Sequence, residues 1–357
     1  MTSILDDKAT MRRLDSRNML GSLEQLAEQV TEVRRAVEAL ALPEKYKQAS
    51  AILVCGMGGS TLGAHILKTV FAEQLSIPFE IVNNYHIPAW VGKNTLVLVA
   101  SYSGTTEESL SAFSEATARG SLAAVITSGG ALRVEAQKNN LPAIVFTTDH
   151  NPCGSPRMGL GYSLIGPLLF FAKCGFIPFD FSELGRVVAT IEEFGEKFGV
   201  AASTETNTAK QFAAALLGKT VWYIGAEHLT GSVHAAANQM NENAKRFAGW
   251  FVIPELNHHL LEGMIFPKAN PENMAWVLVE SDRYDEKIQK RFSVTKEILA
   301  KNNIPFVVYS CAAPTKFLQA MECLVLSSYT SYYSALLEGL DPTAIPFVDY
   351  FKAALQK

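Results

Sequence analysis

The sequence predicts an α/β protein of two similar units, each a parallel β-sheet flanked by helices. Short runs of β-branched and apolar residues alternate with longer helical patterns, which is typical of parallel sheets. The same rhythm returns after a polar, threonine-rich stretch at residues 202–208, which indicates a second unit. A chain of 357 residues is also long for one hydrophobic core.

Nine strands and three segments are expected along the chain. The predicted strands are Ala51–Val54, Phe79–Val82, Leu96–Ser101, Ala123–Thr127, Ala143–Thr147, Thr220–Ile224, Trp250–Ile253, Trp276–Glu280 and Pro305–Tyr309. We expect an N-terminal unit with leading helices over residues 1–180, linker helices over 181–212 and a C-terminal unit over 213–357. The apolar run Leu164–Ala172 is too short to span a bilayer, so it is predicted to be a buried helix.

Charge and cysteine content narrow the class of protein. The chain has 31 basic and 35 acidic residues, a net charge of −4, and neither end carries a basic block. We therefore expect no nucleic-acid partner and no membrane-surface partner. The five cysteines show neither paired metal spacing nor an even disulfide framework, so a reducing cytoplasm and no metal site are expected.

A glycine-rich loop follows the first predicted strand. The letters "CGMGGSTLG", from Cys55 to Gly63, precede a helical pattern, and such a strand-to-helix turn exposes backbone amides that bind anions, most often phosphate. Thr61 replaces a glycine of the dinucleotide pattern, and no acidic residue stands where the ribose would be held. Ala64 follows Gly63, which excludes the nucleotide-triphosphate loop. A tight structural turn is the alternative.

A second polar loop follows the third predicted strand. The letters "SYSGTTEES", residues 101–109, place several hydroxyl groups at the carboxyl end of a strand and before a helix. Ligands bind at that edge of open α/β sheets, and hydroxyl groups donate hydrogen bonds to phosphate oxygens. Helix capping by a Ser/Thr side chain, with Glu107 or Glu108 completing a capping box, is the alternative.

The order of six motifs resembles one enzyme family. "GMGGS", "SYSGTTEES" and "ITSGG" resemble successive landmarks of the sugar isomerase (SIS) fold. "PRMGLGYS", "NENAK" and "PELNHH" narrow the resemblance to bifunctional phosphoglucose/phosphomannose isomerases, and the match covers nearly the whole chain. The resemblance implies two SIS-type subdomains and reversible isomerisation of glucose 6-phosphate, and of mannose 6-phosphate, with fructose 6-phosphate through an enediolate.

The resemblance also implies roles for individual residues. Glu242 corresponds to the family's catalytic base, Arg157 to the arginine beside the reacting carbons, and His258 to the histidine that opens the sugar ring. His259 stands where the family has asparagine. The expected substrate-binding residues are Gly58, Gly59, Ser60, Ser101, Ser103, Thr106 and the late Lys352.

Three further expectations follow from the family. In its members the ring-opening histidine comes from the adjacent subunit, which implies a homodimer, and the reaction needs no cofactor. Activity on mannose 6-phosphate is associated with a threonine near the C-terminus. Our alignment places Ile345 at that position, with Thr343 two residues earlier.

Three other functions remain open at this point. A non-catalytic sugar-phosphate sensor needs the same phosphate loops, but it has no use for the combination of Glu242, Arg157 and His258. The isomerising part of an amidotransferase is a second rival, although the chain has no N-terminal cysteine for glutamine hydrolysis. A nicotinamide dehydrogenase is disfavoured by the missing acidic residue at the ribose position.

Overall fold

The first half of the chain forms a five-stranded parallel sheet. The computed structural model describes residues 4–355. The elements of this half are α1 (Lys8–Leu14), α2 (Met19–Glu24), α3 (Leu26–Glu38), β1 (Ala51–Cys55), α4 (Gly59–Val70), β2 (Phe79–Val82), β3 (Thr95–Ala100), α5 (Glu107–Ala118), β4 (Leu122–Thr127), α6 (Gly130–Lys138), β5 (Ala143–Val145) and α7 (Gly166–Lys173). The strand order is β2-β1-β3-β4-β5. All five strands predicted for this half are confirmed.

Both faces of this first sheet are buried by helices. Alternate residues of a strand point to opposite faces, and in β1 Ile52 and Val54 belong to one apolar cluster while Leu53 and Cys55 belong to another. The first cluster contains residues of α3, α4 and α7, and the second contains residues of α5 and α6. A strand that must be apolar on both faces reads as a continuous apolar run, which is the pattern of residues 51–55.

The second half forms a four-stranded parallel sheet. Its elements are α8 (Leu184–Phe198), α9 (Thr208–Ala215), β6 (Thr220–Ala226), α10 (Thr230–Ala244), β7 (Ala248–Ile253), α11 (Asn270–Asn273), β8 (Met274–Ser281), α12 (Glu286–Lys301), β9 (Phe306–Cys311), α13 (Lys316–Leu337) and α14 (Pro346–Leu355). The strand order is β7-β6-β8-β9, so β7 is an edge strand. The predicted fold class, two parallel sheets flanked by helices, is confirmed.

Helix α13 lies at the centre of the molecule. Almost all of its residues are buried, and it packs against α8, α9 and α10. Helix α10 in turn packs against α4, so the apolar core runs without a break from one sheet to the other. The predicted linker segment does form helices, α8 and α9, but both pack onto α13. The boundaries between the units stay a prediction.

Three smaller expectations concern burial. The apolar run at 164–172 is a buried helical segment, a π-helical turn at Gly161–Ile165 followed by α7, as predicted. All five cysteines are free and buried, as expected of small core residues. Among residues 4–355, no helix is both long and apolar enough to cross a bilayer.

Candidate active site

The glycine-rich loop after β1 does two things. Gly58 has φ +49°, a backbone conformation that favours glycine, and the space beside it is open. A Cβ atom on Gly59 would lie 2.6 Å from the backbone nitrogen of Arg157, so only glycine lets α4 approach that segment. The amides of Ser60 and Thr61 already donate to the carbonyls of Met57 and Gly58. Fewer free amides are therefore available for an anion than the sequence suggested.

The second loop is shaped by its own hydroxyl groups. The buried Ser101 donates to Thr106 Oγ1 at 3.0 Å and accepts from the amide of Gly104 at 3.0 Å. Thr106 occupies the N-cap of α5, but its side chain makes no capping hydrogen bond. The capping alternative is therefore not supported for this residue. Ser103 is exposed, and in the part of the chain that the structure describes its hydroxyl pairs only with Thr105, at 2.9 Å, which leaves it accessible to a ligand.

The two loops meet at one edge of the first sheet. Strands β1 and β3 are neighbours and parallel, so their carboxyl ends lie side by side. Ser60 Oγ accepts a hydrogen bond of 3.0 Å from the amide of Tyr102, which joins the loops directly. Gly58, Gly59, Ser60, Ser101, Ser103 and Thr106 all lie in these two loops. The structure thus brings the six predicted phosphate-binding residues to a single edge.

Arg157 is the most buried charge in this region. Its side chain is 1% exposed. The guanidinium Nε donates to Asn243 Oδ1 at 2.5 Å, Nη1 donates to Glu242 Oε2 at 3.1 Å, and Nη2 donates to the carbonyls of Pro342 and Thr343 at 3.1 and 3.0 Å. Burial lowers the pKa of Arg157, and the Glu242 carboxylate opposes that shift. Of the five N–H donors of an arginine, one on Nη1 has no acceptor within residues 4–355.

Glu242 lies at the carboxyl end of α10. Its side chain is 33% exposed, so one carboxylate oxygen meets Arg157 while the group still reaches solvent. Because Gly59 packs closely against the backbone of Arg157, the segment that carries this arginine lies beside the glycine-rich loop. An accessible carboxylate and a fixed positive charge near the predicted phosphate loops have the chemistry to move a proton and to stabilise a developing negative charge.

A buried polar seam fixes the end of α10. Gln239 donates to Ser328 Oγ at 2.8 Å and accepts from Ser327 Oγ at 3.1 Å. One turn later, Asn243 donates to Ser331 Oγ at 3.0 Å. These hydrogen bonds join α10 to α13 along one line, because residues four apart share a helix face. Buried polar side chains with complete partners fix a unique arrangement, so the seam sets where Glu242 lies.

The sequence reasoning missed Lys245, which ends α10. This residue has φ +53° and caps the helix, and its ammonium group donates to the carbonyls of Asn243 and Asp341 at 2.9 and 2.5 Å. Burial, together with the nearby charge of Arg157, lowers the pKa of Lys245 to about 8. Lys245 and Arg157 therefore both hold the loop at residues 341–343. The motif "NENAK" contained Lys245, but no local spacing pointed to a loop almost 100 residues later.

Thr343 is a second residue whose neighbourhood the alignment did not predict. Its carbonyl accepts from Arg157, and its side chain is buried, with no hydrogen-bond partner for Oγ1 among residues 4–355. A buried hydroxyl without a partner destabilises the folded state, so this threonine is a candidate for a functional role. Ile345, which the alignment favoured, is half-buried, and its carbonyl accepts from the amide of Asp349.

His258 does not join Glu242 and Arg157 within one chain. Asn241 exchanges hydrogen bonds with the backbone of Ala248, so the Glu242 end of α10 lies at the amino end of β7. His258 follows the carboxyl end of that strand and is exposed. At about 3.3 Å per residue, a strand of this length separates the two ends by roughly 20 Å. Its neighbour His259 is held by Glu255, at 2.8 Å.

Lys352 also stands apart from the other predicted residues. It is exposed on α14, a helix with no buried residue. Its side chain makes no hydrogen bond or ion pair with another described residue. The structure thus brings eight of the ten predicted residues to one region and leaves His258 and Lys352 outside it.

Comparison with known families identifies two matching regions. Residues 45–141 match the SIS domain, and residues 205–355 match the family described as the bacterial phospho-glucose isomerase C-terminal SIS domain. The first region carries both polar loops. The second region carries Glu242, His258, Thr343 and Lys352.

Similar proteins span almost the whole chain. A bifunctional phosphoglucose/phosphomannose isomerase from Caldicellulosiruptor bescii is 30% identical over 94% of this chain and 98% of its own. One from Aquifex aeolicus is 27% identical over 86% of this chain and 90% of its own. Among solved structures, a hypothetical protein from Thermus thermophilus superposes with a TM-score of 0.73 at 18% identity, covering 98% of this chain and 93% of its own. That last likeness concerns the fold alone.

Proposed function

The chain belongs to the bifunctional phosphoglucose/phosphomannose isomerase family, and from this premise we propose that it interconverts glucose 6-phosphate and mannose 6-phosphate with fructose 6-phosphate. The observation that carries the proposal is the ion pair of 3.1 Å between Arg157 and Glu242, with the backbone of Arg157 packed against the glycine-rich loop. Phosphate recognition alone does not need that pair. Proton transfer next to a carbonyl group uses a base and a positive charge, and this pair supplies both.

Glu242 is proposed to move the proton between C2 and C1. Its carboxylate removes the C2 proton from the open-chain aldose, the electron pair of that C–H bond forms the C1–C2 double bond, and the π electrons of the C1=O1 carbonyl move to O1, which gives the enediolate. The same carboxyl group returns the proton to C1, while the hydroxyl proton moves from O2 to O1. The reaction is balanced within the substrate, so no cofactor is required. A partly exposed carboxylate at 33% has the access that this role needs.

Arg157 is proposed to stabilise the enediolate oxygens. A guanidinium keeps its charge across the working pH range, and four of its hydrogen bonds to Glu242, Asn243 and the 342–343 loop fix its orientation. A charge that is already in position does not have to reorganise as the oxyanion forms. Its remaining N–H donor on Nη1 is then the one available to the substrate.

The sugar phosphate is proposed to bind between the two loops of the first sheet. Ser103 and Thr106 offer side-chain hydroxyls, and Gly58 offers open backbone at the start of α4. Ser101 has a different part, since its hydroxyl is already committed to Thr106 and Gly104 and shapes the loop. The start of α5 adds a favourable dipole for a negative group.

Ring opening is proposed to use His258 of the partner subunit in a homodimer. Within one chain, roughly 20 Å of strand β7 lies between His258 and Glu242. An exposed histidine without a hydrogen-bond partner in residues 4–355 is free to enter a neighbouring site. The cytoplasmic location is likewise part of the proposal, and the five buried, free cysteines agree with it.

Use of mannose 6-phosphate is proposed to depend on Thr343 rather than Ile345. The two hexose phosphates differ at C2, so the enediolate must be protonated on either face, which requires rotation about C2–C3. The unpartnered Thr343 hydroxyl is buried and belongs to the residue whose carbonyl accepts from Arg157, so we propose that it contacts the rotating sugar only once substrate is bound. Ile345 offers no hydroxyl.

An assay that couples product formation to a second enzyme tests the proposed function. The purified protein is incubated with fructose 6-phosphate, and glucose 6-phosphate and mannose 6-phosphate are measured separately. Formation of both supports the bifunctional enzyme. Tight binding of sugar phosphates without turnover would instead favour the non-catalytic sensor.

A further inference from the structure

Side chains from distant parts of the chain hold the loop between α13 and α14. In the part of the chain that the structure describes, no hydrogen bond between two backbone groups involves residues 341–344. Lys245 Nζ donates instead to the carbonyl of Asp341 at 2.5 Å, and Arg157 Nη2 donates to the carbonyls of the next two residues. Three consecutive carbonyls of this loop therefore face two cations.

The carboxylate of Asp341 fixes the rest of the loop. Its Oδ1 accepts from the amide of Thr343 at 2.8 Å, and its Oδ2 accepts from Ser16 Oγ at 2.5 Å. The position of Asp341 thus sets the position of Thr343. Because the carbonyl of Thr343 binds Arg157, it also sets one of the contacts that orient the guanidinium.

Lys245 links this loop to the helix that carries Glu242. It ends α10 three residues after Glu242, with φ +53°. Its ammonium group also donates to the carbonyl of Asn243 at 2.9 Å, and the side chain of Asn243 accepts from Arg157 Nε. One ammonium group therefore ties the end of α10 to the loop that orients Arg157.

The ammonium group of Lys245 is placed where it can exchange a proton with solvent. Lys245 is exposed and borders an open cleft of about 650 Å³. Burial and the charge of Arg157 lower the pKa of Lys245 to about 8, and the carboxylates of Asp341 and Glu242 oppose that shift. The cleft has three other charged side chains, Lys219, Arg246 and Glu338. Lys245 is thus mostly charged at neutral pH and mostly neutral in more alkaline solution.

We propose that Lys245 is a positioning residue of the isomerase site, whose ammonium group fixes the 341–343 loop, and that loss of its proton loosens that loop. The proposal rests on the proposed function. A neutral amine forms weaker hydrogen bonds to carbonyl groups than an ammonium group does. A looser loop orients Arg157 less well when the enediolate forms, so the chemical step slows more than binding.

The test compares the pH dependence of kcat in wild type, Lys245→Met and Lys245→Arg. Wild-type kcat with fructose 6-phosphate should fall as the pH rises through about 8. Lys245→Met should have a kcat roughly three- to tenfold lower at neutral pH, with little change in KM and without the alkaline fall. Lys245→Arg keeps its charge, so it should retain activity and move the fall to higher pH.

Lys219→Met is the matched control. Lys219 borders the same cleft and also donates to a backbone carbonyl, that of Glu272, but it makes no hydrogen bond to the 341–343 loop. This variant should keep both the wild-type kcat and the alkaline fall. An alkaline fall at the wild-type position in both Lys245→Met and Lys245→Arg overturns the proposal.

Two measurements test the loop without turnover. In protein labelled with ¹³C-lysine, the Cε signal that Lys245→Arg lacks should titrate with a midpoint at about pH 8. The amide of Thr343 should exchange its hydrogen about tenfold faster in Lys245→Met than in wild type at the same pH, and Lys219→Met should match wild type.

The two proposals fail in different ways. A protein without isomerase turnover contradicts the proposed function, and the lysine titration and the exchange of the Thr343 amide still decide whether Lys245 holds the loop. An active enzyme in which Lys245→Met leaves both the Thr343 exchange and the pH dependence of kcat unchanged overturns the positioning role alone.

Discussion

The two sheets present their predicted site residues at opposite ends of their strands. In the first sheet, the hydroxyl groups and glycines follow the carboxyl ends of β1 and β3. In the second sheet, Glu242 lies at the amino end of β7, because it belongs to the helix that returns to that end. His258 alone occupies the opposite edge. Two units of one architecture therefore carry their predicted site residues at different ends, and the second unit places His258 away from the other predicted residues of its own chain.

Different contacts hold these two places. We call the loops after β1 and β3 the first edge, and the carboxyl end of α10 the second edge. The loops of the first sheet keep their shape through short-range bonds, such as Ser101 with Thr106. The end of α10 is held by residues far along the chain, through Asn243 with Ser331 and Arg157 with Thr343. We therefore expect substitutions at the first edge to change KM for the sugar phosphate, and substitutions at the second edge to change kcat.

The largest expected effect is that of Glu242→Gln at the second edge. Its amide oxygen can still accept from Arg157, but the group cannot accept the C2 proton, so kcat should fall by roughly 10²–10⁴-fold with little change in KM. Steady-state kinetics with fructose 6-phosphate measures this. The control is Glu338→Gln, whose carboxylate pairs with Arg246, and it should retain near-normal turnover. A Glu242→Gln enzyme with wild-type kcat would remove this residue from the proposed chemistry.

A smaller effect, in KM, is expected at the first edge. Ser103→Ala and Thr106→Ala each remove a donor to a phosphate that is unchanged during the reaction, and a hydrogen bond to a charged group is worth about 1.5–3 kcal/mol. KM should rise roughly tenfold or more while kcat changes little. Thr117→Ala, at the far end of α5, serves as the control because its hydroxyl bonds within the helix. Unchanged KM values in both variants would assign these hydroxyls a purely structural role.

A change in selectivity tests where the mannose determinant lies. Thr343→Val keeps the shape of the side chain and removes the unpartnered hydroxyl, so the ratio of kcat/KM for mannose 6-phosphate to that for glucose 6-phosphate should fall several-fold. Ile345→Thr should leave that ratio within about twofold. The reverse ranking would favour the position that the alignment suggested. Wild-type protein with no mannose 6-phosphate turnover would be a glucose-specific enzyme.

The smallest expected effect is on the pH dependence of stability, at the contact between helices α4 and α10. His65 on α4 meets His234 on α10, with ring centroids 4.5 Å apart, and burial lowers the pKa of His65 to about 4. The unfolded chain then binds more protons than the folded chain between pH 6.5 and 4, so the free energy of unfolding falls as the pH falls through that window. His65→Asn should weaken this loss in denaturant titrations at about pH 7 and about pH 4.5. The exposed His86→Gln is the control, and an equal response of both variants would contradict the account.

The sequence predicted the local parts of this arrangement well. All nine strands and the two polar loops follow from apolar runs and turn residues. The family resemblance gave Glu242 and Arg157 separate roles, and their ion pair is a finding of the structure. The residues that were missed act across long stretches of chain. Lys245 meets Asp341, and Thr343 meets Arg157, through folding that no local spacing encodes. The opposite placement of His258 and Glu242 likewise required the direction of α10 relative to β7.

Mixing two inactive variants tests the central claim, that one site is built from two chains. Glu242→Gln and His258→Ala homodimers are unfolded and refolded together, and the His259→Ala enzyme is assayed on cyclic substrate as a control. In a heterodimer one site then has both substitutions and the other has neither, so random pairing should restore about a quarter of wild-type activity. Mixtures that stay as inactive as their components would show that Glu242 and His258 act within the same chain, and a His258→Ala protein that is fully active on its own would show that His258 has no part in the reaction.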